Sequence, residues 1–352
     1  MKLSLRRKVA IDLGTTSVLV YTRGRGVILS EPSVLAYDRF TDKIVAVGED
    51  AKEMLGKTPG NIVALRPMKD GVIVDYTSTE KMLKHFLMKS IGFSLIKPDV
   101  IICVPSKATQ VQKRAVMQAA SKAGANNIHL IEEPLAAGIG SGIKISSPGG
   151  NMVVDIGGGT TDIAVISLGG IVVSESIKYA GDACDQAIID YVRKSYNIII
   201  GERTAEEIKM ELASIDAEDK ESYPAKGRNL YDGLPANIDL TQEDLQVALE
   251  RPMEEIVNTV HKVLSNTPPE LAADLYEKGI ILTGGGALLR GLQEKIEDRI
   301  GIRVNIDENP LSSVVRGAGR ALNWINKLDS IENNQFEISR QEIARRERLR
   351  RR

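Results

Sequence analysis

Val9-Ala-Ile-Asp-Leu-Gly-Thr-Thr16 and Val153-Val-Asp-Ile-Gly-Gly-Gly-Thr-Thr161 are two versions of one pattern. In each, an apolar run passes through an Asp into a glycine turn. Two Thr follow, and a second apolar run begins (residues 18–21 and 163–167). Short apolar runs bounded by turn residues read as buried strands. The echo sets Asp12 and Asp155 at equivalent places and points to two similarly built halves.

The same alternation continues outward. Residues 100–104 form a short apolar run, residues 108–123 carry helical periodicity up to Gly124, and residues 128–131 are strand-like. Pro134 suits the first turn of a helix. Residues 279–282 form a strand that runs into a third glycine turn and a helix. Strands alternating with helices predict an α/β fold. A length of 352 residues fits two domains. Residues 32–74 look like an irregular insert rich in turn residues. Residues 201–245 show no echo and look helical and polar.

Hydrophobic residues make up 43% of the chain and charged residues 26%, the balance of a globular protein. A net charge of -1 points to no polyanionic partner for the molecule as a whole. The charge is uneven: residues 338–352 hold seven Arg and two Glu. Such a run is a solvated face or a contact tail. Cys103 and Cys184 lie far apart in sequence among apolar or small residues, as buried thiols in a reducing compartment would. His85, His129 and His261 have no metal-ligand spacing, which argues against structural zinc. No apolar run reaches the length of a membrane span, so a cytoplasmic location is expected.

Glycine allows backbone to approach a ligand, and exposed N–H groups with Thr hydroxyls cradle phosphate oxygens. Gly14, Thr15 and Thr16 offer this after Asp12, although an ordinary hairpin turn fits equally well. Gly157, Gly158, Gly159 and Thr160 make the stronger case, because a plain hairpin has no use for three glycines. Asp12 and Asp155 could hold Mg²⁺ through its water shell. Gly284, Gly285, Gly286 and Ala287 form the third turn, suited to a flat ring or a ribose, or simply to a helix start. Glu132 and Glu133 stand at a strand's carboxyl end, where an open sheet faces its ligand crevice. A carboxylate there could activate a water, or only favour the next helix dipole. Thr204-Ala-Glu-Glu207 matches a helix capping box.

Together the three glycine motifs resemble the two phosphate motifs and the adenosine motif of the actin, sugar-kinase and heat-shock-chaperone superfamily. Four longer stretches narrow the resemblance to the MreB family: Thr58-Pro-Gly-Asn-Ile-Val-Ala, Arg66-Pro-Met-Lys-Asp-Gly-Val-Ile, Ile131-Glu-Glu-Pro-Leu-Ala-Ala and Ile200-Gly-Glu-Arg-Thr-Ala-Glu-Glu-Ile-Lys. The match covers about residues 8–327. It implies a duplicated actin-like, ribonuclease H-like fold with a nucleotide cleft between two domains, each carrying a smaller inserted subdomain. The first domain would take residues 1–31, 75–143 and 316–337, with 32–74 inserted. The second would take 144–180 and 246–315, with a helical insert at 181–245. Residues 338–352 would be a basic tail.

The resemblance further implies ATP and Mg²⁺, with hydrolysis coupled to filament assembly. Glu133 would position the attacking water and Thr160 would help place it. Asp12 and Asp155 would serve the metal. Gly14, Thr15, Thr16 and residues 157–160 would hold phosphates, and Glu206, Glu207, Lys209 and residues 284–287 would surround the adenosine. Two departures stand out. Asp162 replaces the Glu that the family often has, and Gly181-Asp-Ala-Cys-Asp185 replaces Gly-Asp-Glu-Met-Asp.

The partners implied are further copies of the chain, in paired protofilaments, and an anionic membrane surface. Ile91, Phe93, Leu95 and Ile96 sit in a connecting segment, where apolar residues are a membrane signal or the start of the next strand. Arg345, Arg346, Arg348 and Arg350 in the tail suit anionic lipid. No interleaved aromatics favour nucleic acid. The expected location is peripheral, on the inner face of the cell membrane, with a role in cell shape or motility. The alternatives are a small-molecule kinase or a division-ring anchor on the same fold.

Overall fold

The computed structural model describes residues 7–92, 96–214 and 222–323. Both halves of the echo become the same β-hairpin. Lys8–Leu13 pairs antiparallel with Ser17–Thr22, and Asn151–Ile156 pairs antiparallel with Thr161–Ser167. Each hairpin gains an antiparallel strand on one side, Gly26–Pro32 or Gly170–Ile177. On the other side it gains two parallel strands, Asp99–Val104 with Ile128–Glu132 or Ile280–Thr283 with Val304–Ile306. The two five-stranded sheets therefore share one strand order. Every residue of Asp99–Val104 and of Thr161–Ser167 is buried. Both faces of these strands are covered, which is why residues 100–104 and 163–166 read as unbroken apolar runs.

Three large cores follow from this layering. Ile11, Phe86 and Ile102 anchor the first half, and Met152, Ile188 and Ile256 the second. The third core joins the halves, with Ala10, Ile101 and Ile131 packed in one cluster with Val153, Ile166 and Val314. The helices Glu133–Gly140 and Ser313–Ala321 cross within it. A Cβ on Gly140 would overlap the Ser313 carbonyl, and one on Gly317 would overlap the Ala136 carbonyl. Only glycine permits backbones this close, so the junction of the halves is a direct helix-on-helix contact.

Local signals place the helices. Thr109 and Gln112 form a reciprocal capping box ahead of Gln110–Ala123, which stops at Gly124 with φ of 109°.

Both inserts are more ordered than the sequence led us to expect. Residues 32–74 are not irregular. Leu35–Asp38 pairs with Ile44–Val47 and Ile62–Leu65, and the helix Glu49–Met54 covers a small core of Val34, Ala36 and Ala51. Strands of four residues with Ala at core positions carry too little apolar alternation to be read. The second insert is not purely helical either. Besides Gly181–Tyr196 and Glu202–Ser214 it contains a hairpin of Ser222–Asn229 with Pro235–Thr241, joined to Ile198–Ile199. Ala225, Ile238 and Leu240 are its buried residues, and polar residues dominate its other face. Thr204 is no N-cap. The helix already starts at Glu202, after Gly201, whose carbonyl accepts from Ala205 N.

Candidate nucleotide cleft

The three glycine turns meet at one cavity of about 480 Å³ between the halves. Asp12, Gly14, Thr15 and Thr16 line it from the first hairpin. Asp155 and residues 157–160 line it from the second, and Gly284, Gly285 and Gly286 from the third turn. The two hairpin turns touch. A Cβ on Gly158 would overlap Thr16 Oγ1, and one on Gly159 would overlap Thr15 Oγ1. The glycine run thus permits close approach of one hairpin turn to the other.

Glu133 opens the helix Glu133–Gly140 and faces the cavity. Glu132 turns aside to pair with Lys113 at 3.3 Å. Glu206 and Lys209 line the cavity from Glu202–Ser214. Glu207, by contrast, pairs with Arg203 at 2.8 Å and is not in the lining. Ala287 is buried in the second core behind the third turn.

The electrostatics are one-sided. Burial, then the Asp155 charge, pushes the Asp12 carboxyl up to about 7. Burial also takes Asp155 to about 7, against a hydrogen bond donated by Thr283 Oγ1 at 2.7 Å. Burial, followed by Asp162, Asp12 and Asp155, raises Glu133 well above the usual carboxylate range. The neighbouring charges acting on these three acids are negative, which leaves them suited to a cation arriving with a ligand. Among the described residues, no group of three or more His, Cys, Asp or Glu could hold a metal directly. Asp12 and Asp155 bring two carboxylates to one cavity, a donor set that fits a hydrated divalent ion.

Several contacts around the cavity were not foreseen from the sequence. Gly71 N donates to Thr15 Oγ1 at 3.0 Å, so the hairpin Met68–Lys69 with Val72–Ile73 rests on the first glycine turn. Lys209 pairs with Asp185 at 2.7 Å and donates to the Gly181 carbonyl at 3.0 Å. Asp162 is fully buried and ties the halves together. Its Oδ1 accepts from Ser106 N at 2.7 Å and from Ser106 Oγ at 2.8 Å, and its Oδ2 accepts from Ser176 Oγ at 3.2 Å. None of these has a local sequence signal, because each joins distant segments. Both cysteines are free and buried.

Of the apolar segment, Ile91 ends the helix Tyr76–Ile91 and packs against the first core. Ile96 is 44% exposed. Phe93, Leu95, Arg345, Arg346, Arg348 and Arg350 lie outside the described residues. No helix of the described residues is long and apolar enough to cross a membrane.

Twin sheets closing on a glycine-lined cleft define an actin-like protein. Solved relatives share this architecture. MreB 5 of Spiroplasma citri bound to AMPPNP superimposes with a TM-score of 0.87 at 37% identity, over 94% of this chain and 99% of that one. The MamK double helical filament subunit superimposes at 0.76 and 23% identity over 90% of this chain and 99% of that one, a likeness of fold alone. The MreB/Mbl protein family model matches residues 6–330. Mbl of Bacillus subtilis is 47% identical over 92% of this chain and 97% of its own length. MreB of Escherichia coli K12 is 50% identical over 90% and 93%. Both are described as cell shape-determining proteins. The chain belongs to the MreB/Mbl family of bacterial cytoskeletal, actin-like proteins.

Proposed function

We propose that this chain binds ATP with Mg²⁺ in the cleft, hydrolyses it, and assembles into membrane-associated filaments that support cell shape. The carrying observation is the convergence of three glycine turns and Glu133 on one cavity between two halves. Relatives at 37% and 38% identity were solved with AMPPNP and with ADP, which supports a nucleotide as the occupant.

In this reading the backbone N–H groups of residues 14–16 and 157–160 grip the phosphates from opposite sides. Asp12 and Asp155 would hold Mg²⁺ through water, and the ion would supply charge neutralisation to the phosphates. Glu133 orients the attacking water and Thr160 helps place it. A carboxylate with raised proton affinity at that position is a competent proton acceptor once a cation offsets its acidic neighbours. Glu206, Lys209 and the turn at 284–286 surround the nucleoside. Glu207 and Ala287 have no place in the lining, so their contribution would be to support Glu206 and the turn. Filament growth follows from closure of the two halves on ATP, which changes the surfaces that copies present to one another.

The membrane part of the proposal rests on the exposed Ile96, the adjoining apolar residues and the basic tail. Co-sedimentation with vesicles of anionic lipid tests it. The native chain should pellet with them, and a chain lacking residues 338–352 should pellet less. Unchanged binding after the deletion removes the tail from the account.

A further inference from the structure

The roof of the cleft is held by charges that cross from one half to the other. Lys52, on the helix Glu49–Met54 of the first insert, sits with its Nζ 2.9 Å from Glu206 Oε2. Arg66 Nη2 approaches the same oxygen at 3.9 Å. These side chains are only 23%, 20% and 13% exposed for Lys52, Arg66 and Glu206, so water screens them less than a surface pair. Arg66 Nη1 is buried with no hydrogen-bond partner. A second pair, Lys178 with Asp70 at 3.2 Å, links the halves again at the phosphate end.

Glu206 has two faces. It lines the nucleotide cavity, and it is the acceptor for the opposite rim. A partly buried carboxylate is costly without a cation nearby, and one held by a cation is fixed in direction. If the roof opens, Lys52 leaves, and Glu206 becomes hydrated and free to rotate. A hydroxyl donor in the cavity favours the fixed carboxylate through a charge-assisted hydrogen bond. Coupling of this kind is reciprocal: what the roof does for the ligand, the ligand does for the roof.

We infer that Lys52, seconded by Arg66, is a latch acting through Glu206, which makes roof closure and grip on the ribose hydroxyls one event and so sets the rate of nucleotide release. Lys52 is a positioning residue here; Glu206 is the group that meets the ligand. The inference rests on the nucleotide reading proposed above and deepens it. It also gives release a dependence on salt and on ribose chemistry that a simple phosphate grip would not have.

The test compares dissociation of etheno-ATP, whose ribose is intact, with that of 2′,3′-dideoxy-etheno-ATP, so that the pair differs only in the ribose hydroxyls. Native chain, Lys52→Met and Lys52→Arg are each chased with excess ATP, with melting temperatures as the folding control. Lys52→Met should release etheno-ATP about tenfold faster. Its effect on the dideoxy nucleotide should be within about twofold, and Lys52→Arg should restore slow release. Equal acceleration for both nucleotides would overturn the latch, since Lys52 would then merely stabilise the closed molecule. Unchanged release of etheno-ATP would overturn it too. A native chain that binds neither nucleotide would instead sink the nucleotide reading, and the latch with it.

Discussion

Gly158 shows how much of the cleft is decided by single atoms. A methyl group there overlaps Thr16 Oγ1, so Gly158→Ala must push the two turns apart. Such overpacking costs about 1–3 kcal/mol. If both turns grip the same phosphates, as proposed, nucleotide affinity should fall at least about tenfold. Calorimetric titration with a non-hydrolysable ATP analogue checks this; undiminished affinity would mean that the turns do not act together. That Asp12, Asp155 and the glycine run would share one site was legible in the sequence, and all of them line one cavity. The choice between Glu132 and Glu133 was not legible from local sequence. Neighbouring residues differ in direction, and only the start of the helix Glu133–Gly140 settles which one enters the cavity. Lys52, Arg66 and Ser106 were silent for a different reason. Their partners lie on the other half of the chain, and a cross-cleft ion pair leaves no periodicity.

At the level of elements, Asp244 completes the capping box that Thr241 begins. Its Oδ2 accepts from Thr241 N at 2.8 Å and from Thr241 Oγ1 at 2.9 Å, and its Oδ1 accepts from Tyr191 OH at 2.6 Å and Tyr196 OH at 3.0 Å. It thereby starts the helix Gln242–Ser265 and fastens it to Gly181–Tyr196. Burial pushes its carboxyl up, but these hydrogen bonds outweigh burial and hold it below the ordinary 3.8. The unfolded chain then binds the proton more readily than the folded one. The contribution of Asp244 is thus present above about pH 4 and is lost as pH falls through the folded value. Asp244→Ala should cost about 1–2 kcal/mol at pH 7, and the gap to the native chain should narrow in acid. Denaturant melts at several pH values measure it; a gap independent of pH would contradict the assignment. The crossing of Glu133–Gly140 and Ser313–Ala321 is the second element-scale test. Gly317→Val should destabilise by about 3 kcal/mol or prevent folding, because the obstacle is the Ala136 backbone rather than a movable side chain. The two hairpins and the strands Asp99–Val104, Ile128–Glu132 and Ile280–Thr283 were readable from apolar runs, whereas Gly26–Pro32, Gly170–Ile177 and Val304–Ile306 were not. The inserts were not, because four-residue strands built on Ala and a hairpin with one polar face carry weak patterns.

For the whole molecule, duplication is the organising fact. Two sheets of one strand order, joined by a shared core, create a cleft that each half lines with the same kind of turn. The motif echo of residues 9–16 and 153–161 announced this arrangement. The closeness of the halves was not announced, since it depends on Gly140, Gly317 and the Ser106–Asp162 hydrogen bonds meeting in space. A molecule built this way should couple cleft occupancy to assembly, because closure moves the halves together as units. The central claim is an ATPase whose nucleotide state governs polymerisation. Sedimentation and phosphate release followed together, for the native chain and Glu133→Ala, test it most directly. The account predicts that the native chain pellets with ATP and releases phosphate without an acceptor. It predicts that Glu133→Ala still pellets while phosphate release falls by about a hundredfold. Phosphate release that requires an added acceptor, with nothing in the pellet, would contradict it and point to a kinase on the same fold.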